Sequence, residues 1–258
     1  VNPTPGRLSQ QRAMQLLPTL CTVFNLFFGA LAIVKAMDGR FEAASLLILG
    51  AAVLDKLDGF VARAVHASSD FGRELDSLAD VVSFGLAPAL TAWAWALRDL
   101  PRFGLAAALL FMACGALRLA RFNVQATVTD KRWFIGLPIP MAAAVPATLM
   151  FAHAESLPDG ADQHLGDPGL AWGVLLVLLA CAALMVSRIR YHAFKDVHFG
   201  RERRVVVVLG LMVVAVLVFA WPSIALPVAA IGYALHGPVL RLFRPAAARA
   251  AAPGPETS

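Results

Sequence analysis

Residues 55–80 read DKLDGFVARAVHASSDFGRELDSLAD, and Asp55, Asp58, Asp76 and Asp80 stand there in flanks apolar enough to lie in a membrane. An aspartate at the centre of a bilayer helix costs about 2.5–3.5 kcal/mol on insertion scales, so four cost roughly 10 kcal/mol that something must offset. Bound cations would do so. Asp55 and Asp58 are three residues apart and Asp76 and Asp80 four apart, so each pair projects from one face of its helix, separated by about 4.5 and about 6 Å of rise. Two such faces meeting make an all-oxygen cage. Hard divalent ions such as Mg²⁺, Mn²⁺ or Ca²⁺ take oxygen ligands, and neither His nor Cys falls at a ligand spacing in this stretch, which argues against zinc or copper.

The rest of the chain is consistent with a membrane setting. Of its 258 residues, 59% are hydrophobic and only 15% charged, and the mean hydropathy is +0.70. That composition excludes a soluble domain and predicts an all-α polytopic bundle. A window of about 19 residues gives eight expected spans, near 16–37, 41–66, 71–97, 103–123, 138–155, 169–188, 204–221 and 222–243. Residues 1–15 are expected as a short interfacial lead-in, 16–200 as the catalytic membrane domain, 201–244 as a C-terminal helix pair, and 245–258 as a disordered Ala/Pro-rich tail. No signal-peptide pattern with a cleavage site is read. Cys21, Cys114 and Cys181 fall in apolar runs without framework spacing and read as small core residues.

Charge in the connecting segments sets the expected orientation. Arg188, Arg190, Lys195, Arg201, Arg203 and Arg204 lie between spans six and seven, and Lys131 and Arg132 between four and five, with Arg118 and Arg121 just upstream. Residues 154–168 carry Glu155, Asp159, Asp162 and Asp167 but no Lys or Arg. The positive-inside rule then puts both termini and the acidic faces of spans two and three on the cytoplasmic side. The net charge of +5 has the same origin. It reads as topology and affinity for anionic lipid, with no nucleic-acid motif beside it.

The order D-x-x-D-G-x-x-A-R-x8-G-x-x-x-D-x-x-x-D, carried by Asp55, Asp58, Gly59, Ala62, Arg63, Gly72, Asp76 and Asp80, resembles the signature of the CDP-alcohol phosphotransferases. The resemblance implies an integral membrane enzyme, a homodimer, that uses Mg²⁺, Mn²⁺ or Ca²⁺. It implies Asp55, Asp58 and Asp76 as metal ligands, with Asp80 as ligand and general base for an acceptor hydroxyl. In the CDP site, Gly59, Ala62 and Gly72 are small enough for backbone to approach a nucleotide, and Arg63 can offer its planar fork to a phosphate. Thr22 and Asn25 share a face of span one and either reach the same nucleotide or hydrogen-bond between helices.

Flanking segments narrow the acceptor. VVSFGLAPA after Asp80, ALRLARFNVQ at 116–125, FIGLPIPMAA at 134–143 and LMVSRIRYHAFK at 184–195 look like the membrane-embedded bacterial phosphatidylserine synthase branch. That likeness runs from about Leu17 to Lys195. It implies CDP-diacylglycerol and L-serine as substrates and CMP as the second product, at the cytoplasmic face of a bacterial inner membrane. Arg118 and Arg121 are three residues apart, with Asn123 close behind. They can hold the serine carboxylate or a phosphate, or can reach out to lipid headgroups. Ser83 and Phe84, one turn past Asp80, line an acceptor pocket or simply pack. Trp93, Trp95 and Trp133 are expected as aromatic-belt anchors, and the scattered histidines have no catalytic assignment. Another small alcohol, such as glycerol 3-phosphate or an inositol phosphate, is the alternative acceptor. A cation transporter is the reading from another class, although it leaves the arginine and glycines between the aspartates unexplained.

Overall fold

The computed structural model describes residues 5–64, 70–100, 102–125, 133–192, 210, 212 and 215–243, with side chains at 5–18, 61–64, 70, 125, 133–134, 190, 192 and 242–243 left aside. Seven of the expected spans coincide with long helical segments. The other, 204–221, lies mostly outside the described residues, as does the expected tail. Helix α1 is Pro5–Met37 and α2 is Phe41–Ala64. The expected interfacial lead-in is therefore continuous with the first span. Five helices among the described residues are long and apolar enough to cross a membrane, against the eight expected. Helix α2 is uncharged between Glu42 in its first turn and the site, since Asp55, Lys56, Asp58 and Arg63 all fall in its last three turns.

Gly39 turns α1 into α2. It takes φ +73°, a left-handed conformation that favours glycine, while Gly39 and Arg40 donate their N–H groups back to Ala36 and Lys35. The two helices then pack along one another. Buried Ala32, Ala36, Ala44 and Ala51 let their backbones come close.

The third span changes helical type along its length. It begins as α3, Asp70–Asp80, widens to a π-helix over Val81–Leu86, returns to α-helix as α4, Ala87–Ala92, and widens again over Trp93–Leu97. Pro88 offers a cause for the first widening, because its ring would crowd the carbonyl four residues back in a regular α-helix. The consequence is that Asp76 and Asp80 sit on regular helix, immediately ahead of the irregularity.

Helices α5, Phe103–Gln125, α6, Ile139–Glu155, and α7, Pro168–Val186, follow. Asp167 caps α7, accepting the Leu170 N–H at 3.0 Å, and Pro168 fits the first turn. The last described helix, α8, is Pro222–Phe243 and lies along α6. A short antiparallel ladder joins the segments after α5 and α7, pairing β1, Trp133–Ile135, with β2, Arg190–His192. Three residue pairs do not alter the all-α class. Gly136, at φ +80°, lets the chain leave β1, and a Cβ there would run into the Met185 carbonyl.

The end of the bundle away from the carboxylates corrects one expectation. Trp95 is 2% exposed, and its indole N–H donates to His153 Nδ1 at 3.2 Å, so it is a core residue and no belt anchor. The Trp95 carbonyl accepts from Leu165 N–H at 2.9 Å, and His164 pairs with Asp99 at 3.1 Å. The 156–167 loop is thereby tied down onto the third span. Trp93 is half-buried, and Trp133 has a side chain outside the described residues.

Candidate active site

Asp55 near the end of α2 faces Asp76 and Asp80 of the third span, and one carboxylate oxygen from each lies within 4.8 Å of the other two. Asp58, Asp76 and Asp80 each feel the negative charge of Asp55. Such repulsion in a partly desolvated site calls for a counter-ion. One oxygen of Asp76 and one of Asp80 are buried with no hydrogen-bond partner among the described residues. Lys56 reaches Asp55 at 3.2 Å, but its side chain is 76% exposed and offsets little of the buried charge. Orphaned buried oxygens, an oxygen-only donor set and converging carboxylates fit a hard divalent cation.

Asp58 stands apart from that trio. It is 6% exposed and accepts a hydrogen bond from the Thr22 hydroxyl at 3.3 Å. The expected four-carboxylate face is thus resolved into three converging groups and a fourth anchored on α1. Asn25, one turn from Thr22, is fully buried, and neither of its amide atoms has a partner among the described residues. A buried amide in that state costs about 1–3 kcal/mol, a cost that a polar ligand would relieve. Gly59 is half-buried beside Asp58, and Gly72 lies in the first turn of α3. Ala62 and Arg63 belong to the end of α2, with side chains outside the described residues.

The acceptor candidates separate into two groups. Arg118 is 9% exposed, its Nε has no partner among the described residues, and Asp80, Tyr233 and Asp55 act on its charge. Its guanidinium carbon lies 5.7 Å from the centre of the Phe122 ring, within cation–π range. Arg121 is only half-buried. Asn123 is engaged otherwise: its amide donates to Ser77 Oγ at 2.9 Å and fastens α5 to α3 beside Asp76. Ser83 donates to the Asn25 carbonyl at 2.8 Å, and Phe84 is fully buried in the core. Both pack the third span. Ser77 was not singled out from sequence, and its position next to Asp76 was the available signal.

The profile of the family described as CDP-alcohol phosphatidyltransferase matches residues 15–186, from the last residue of the expected lead-in to the end of α7. The chain belongs to the CDP-alcohol phosphatidyltransferase family. Among relatives of this family member, a CDP-diacylglycerol--serine O-phosphatidyltransferase of Helicobacter pylori is 36% identical over 89% of this chain and 92% of its own length. One of the same name from Bacillus subtilis is 37% identical over 70% of this chain and 93% of its own. An archaetidylserine synthase of Methanothermobacter thermautotrophicus is 34% identical over 68% of this chain and 69% of its own. Of the four signature aspartates, Asp55, Asp76 and Asp80 converge, while Asp58 accepts from Thr22 on α1.

Proposed function

We propose that this chain transfers the phosphatidyl group of CDP-diacylglycerol to the hydroxyl of L-serine, releasing CMP, at the cytoplasmic face of a bacterial inner membrane. The observation that carries the reading is the convergence of Asp55, Asp76 and Asp80, with Asp80 and Asp55 acting on the charge of the buried Arg118. Relatives similar along most of the chain are named for transfer to serine, which favours that acceptor over a phosphorylated alcohol.

In this reading the serine oxygen attacks the phosphorus that bears diacylglycerol. The bond from that phosphorus to the CMP oxygen breaks, and the electron pair leaves with CMP. Asp80 takes the proton from the attacking hydroxyl. Asp55, Asp76 and Asp80 would hold the divalent ion, Mg²⁺ or Mn²⁺, which when bound neutralises the pyrophosphate and the departing phosphate. Asp58, held by Thr22, with Gly59, Ala62, Gly72, Asn25 and Arg63, frames the nucleotide. Arg118 supplies a fixed positive charge on the acceptor side, with no acceptor lone pair to compete for protons.

Family membership also supports a homodimer, for which native mass spectrometry in detergent is the direct measurement. The deciding assay for the reaction is CMP release from CDP-diacylglycerol with and without L-serine and with and without EDTA. Serine-dependent, EDTA-sensitive release supports it. Release that follows glycerol 3-phosphate or an inositol phosphate in preference to serine would overturn the acceptor assignment.

A further inference from the structure

Asn123 stands in the last turn of α5 between Phe122 and Val124, which are both exposed, and is itself half-buried. Its amide donates to Ser77 Oγ at 2.9 Å. Ser77 Oγ in turn gives its one proton to the Arg73 carbonyl at 3.0 Å. The serine lone pairs therefore face α5, and the NH₂ end of Asn123 is the one that fits them. This bond crosses between two helices at the residue that follows Asp76.

Further along the same span, Ser83 is fixed to the Asn25 carbonyl at 2.8 Å. The two cross-helix bonds bracket Asp80, and Asp76 directly precedes the first of them. A single such bond sets the height of a helix, whereas two at separate levels, one to α5 and one to α1, also set its rotation. Rotation matters here because a carboxylate lies about 5 Å from the helix axis, so a turn of about 12° moves it by about 1 Å. Seen down α3, Asp76 lies about 100° and Asp80 about 60° to the same side of Ser77, so the fixed point borders the acidic face. One oxygen of Asp76 and one of Asp80 are buried with no hydrogen-bond partner among the described residues. Those oxygens are aimed by the backbone that carries them.

We propose that Asn123 is a positioning residue for the reaction: through Ser77 it sets the rotation of α3 and so aims Asp76 and Asp80 at a divalent cation. The proposal rests on the metal reading above and gives Asn123 a part in it that lies away from the acceptor.

The test is Mn²⁺ binding to the full chain in detergent–lipid micelles without substrate, followed by electron paramagnetic resonance of the free ion, beside steady-state kinetics varying L-serine and Mn²⁺ separately. Ser77→Ala and Asn123→Leu should each weaken Mn²⁺ binding about tenfold, the lower end of what losing a supporting contact costs a metal site. The Mn²⁺ concentration for half-maximal CMP release should rise in step, while the serine KM at saturating Mn²⁺ changes less than about threefold. The double variant should bind no more weakly than either single one, because both remove the same bond. Ser77→Thr keeps a hydroxyl and should hold Mn²⁺ affinity within about threefold, as should Leu78→Ala on the exposed side of α3. Unchanged Mn²⁺ affinity in Ser77→Ala would overturn the proposal and leave the metal reading intact, even with a lower melting temperature, since a merely structural bond gives that pattern. A serine KM raised by Asn123→Leu at unchanged Mn²⁺ affinity would also overturn it and return Asn123 to the acceptor. If the unmodified chain binds no Mn²⁺, the metal reading and the proposal fall together.

Discussion

Ser83 donates its hydroxyl to the main-chain carbonyl of Asn25 at 2.8 Å, locking the third span onto α1 one turn beyond Asp80. At the same crossing a Cβ on Gly29 would come 2.5 Å from Ser83 Oγ and 2.6 Å from its Cα. The second of these is backbone and cannot swing aside. The two helices touch main chain to main chain, and the register of Asp80 against α1 depends on that contact.

Gly29→Ala is therefore expected to push the third span away from α1 and to shift Asp80 relative to Asp55. Overpacking of this kind costs about 1–3 kcal/mol. The larger effect should fall on turnover, since a displacement of about 1 Å in a phosphoryl-transfer site costs on the order of 100-fold. CMP release and thermal stability measured on the same preparation separate the two. A variant that keeps its full rate would show that the crossing does not set the position of Asp80.

The converging trio predicts a graded response among the signature aspartates. Asp55→Asn, Asp76→Asn and Asp80→Asn each remove a carboxyl group from the point where three meet, and should lower turnover by at least about 100-fold at saturating Mg²⁺ or Mn²⁺. Asp58→Asn keeps a group able to accept from Thr22. Its loss should appear more in the KM for CDP-diacylglycerol. Asp80 has a further signature: if it chiefly takes the serine proton, Asp80→Asn abolishes turnover while CDP-diacylglycerol affinity stays within about tenfold. A collapse of that affinity would instead mark Asp80 as mainly a metal ligand.

What could be read from sequence divides along physical lines. The spacing of Asp55, Asp58, Asp76 and Asp80 is local, and a regular helix converts it directly into shared faces, so the acidic meeting point was legible. Hydropathy located the helices for the same reason. The rank of Arg118 over Arg121 was not legible, because their three-residue separation puts both on one broad face and only the packing of α5 decides which is buried. Ser83 was ambiguous, and the belt expectation for Trp95 failed, for a related reason: a buried hydroxyl or indole finds its partner across the bundle, on Asn25 and His153. The interruption of the third span by π-turns left no periodic trace, and Pro88 was its one local sign.

The Trp95–His153 bond predicts a stability effect far from the carboxylates. His153→Leu would leave the Trp95 indole N–H buried without an acceptor, at a cost of about 1–3 kcal/mol. For a domain of this size that corresponds to a fall in Tm of several degrees. In a Trp95→Phe background the same replacement should cost clearly less, because the unmet donor is gone. Equal losses in both backgrounds would mean that His153 acts through packing alone.

Acceptor binding supplies the last prediction. An amino-acid carboxylate drawn into a lipid-bounded pocket must keep a charge-assisted partner, since an unpaired buried anion costs several kcal/mol. Arg118 is the buried cation on which Asp80 and Asp55 act, whereas Arg121 is more open to its surroundings. Arg118→Ala should therefore raise the KM for serine by about 10-fold to 100-fold, corresponding to roughly 1.4–2.8 kcal/mol, with the KM for CDP-diacylglycerol little changed. Arg121→Ala should move the serine KM by less than about threefold. Lysine at position 118 should rescue only in part, because it lacks the planar two-pronged donor. If Arg121→Ala raises the serine KM and Arg118→Ala does not, the carboxylate is held nearer the end of α5, and Arg118 serves as a counter-charge for Asp80.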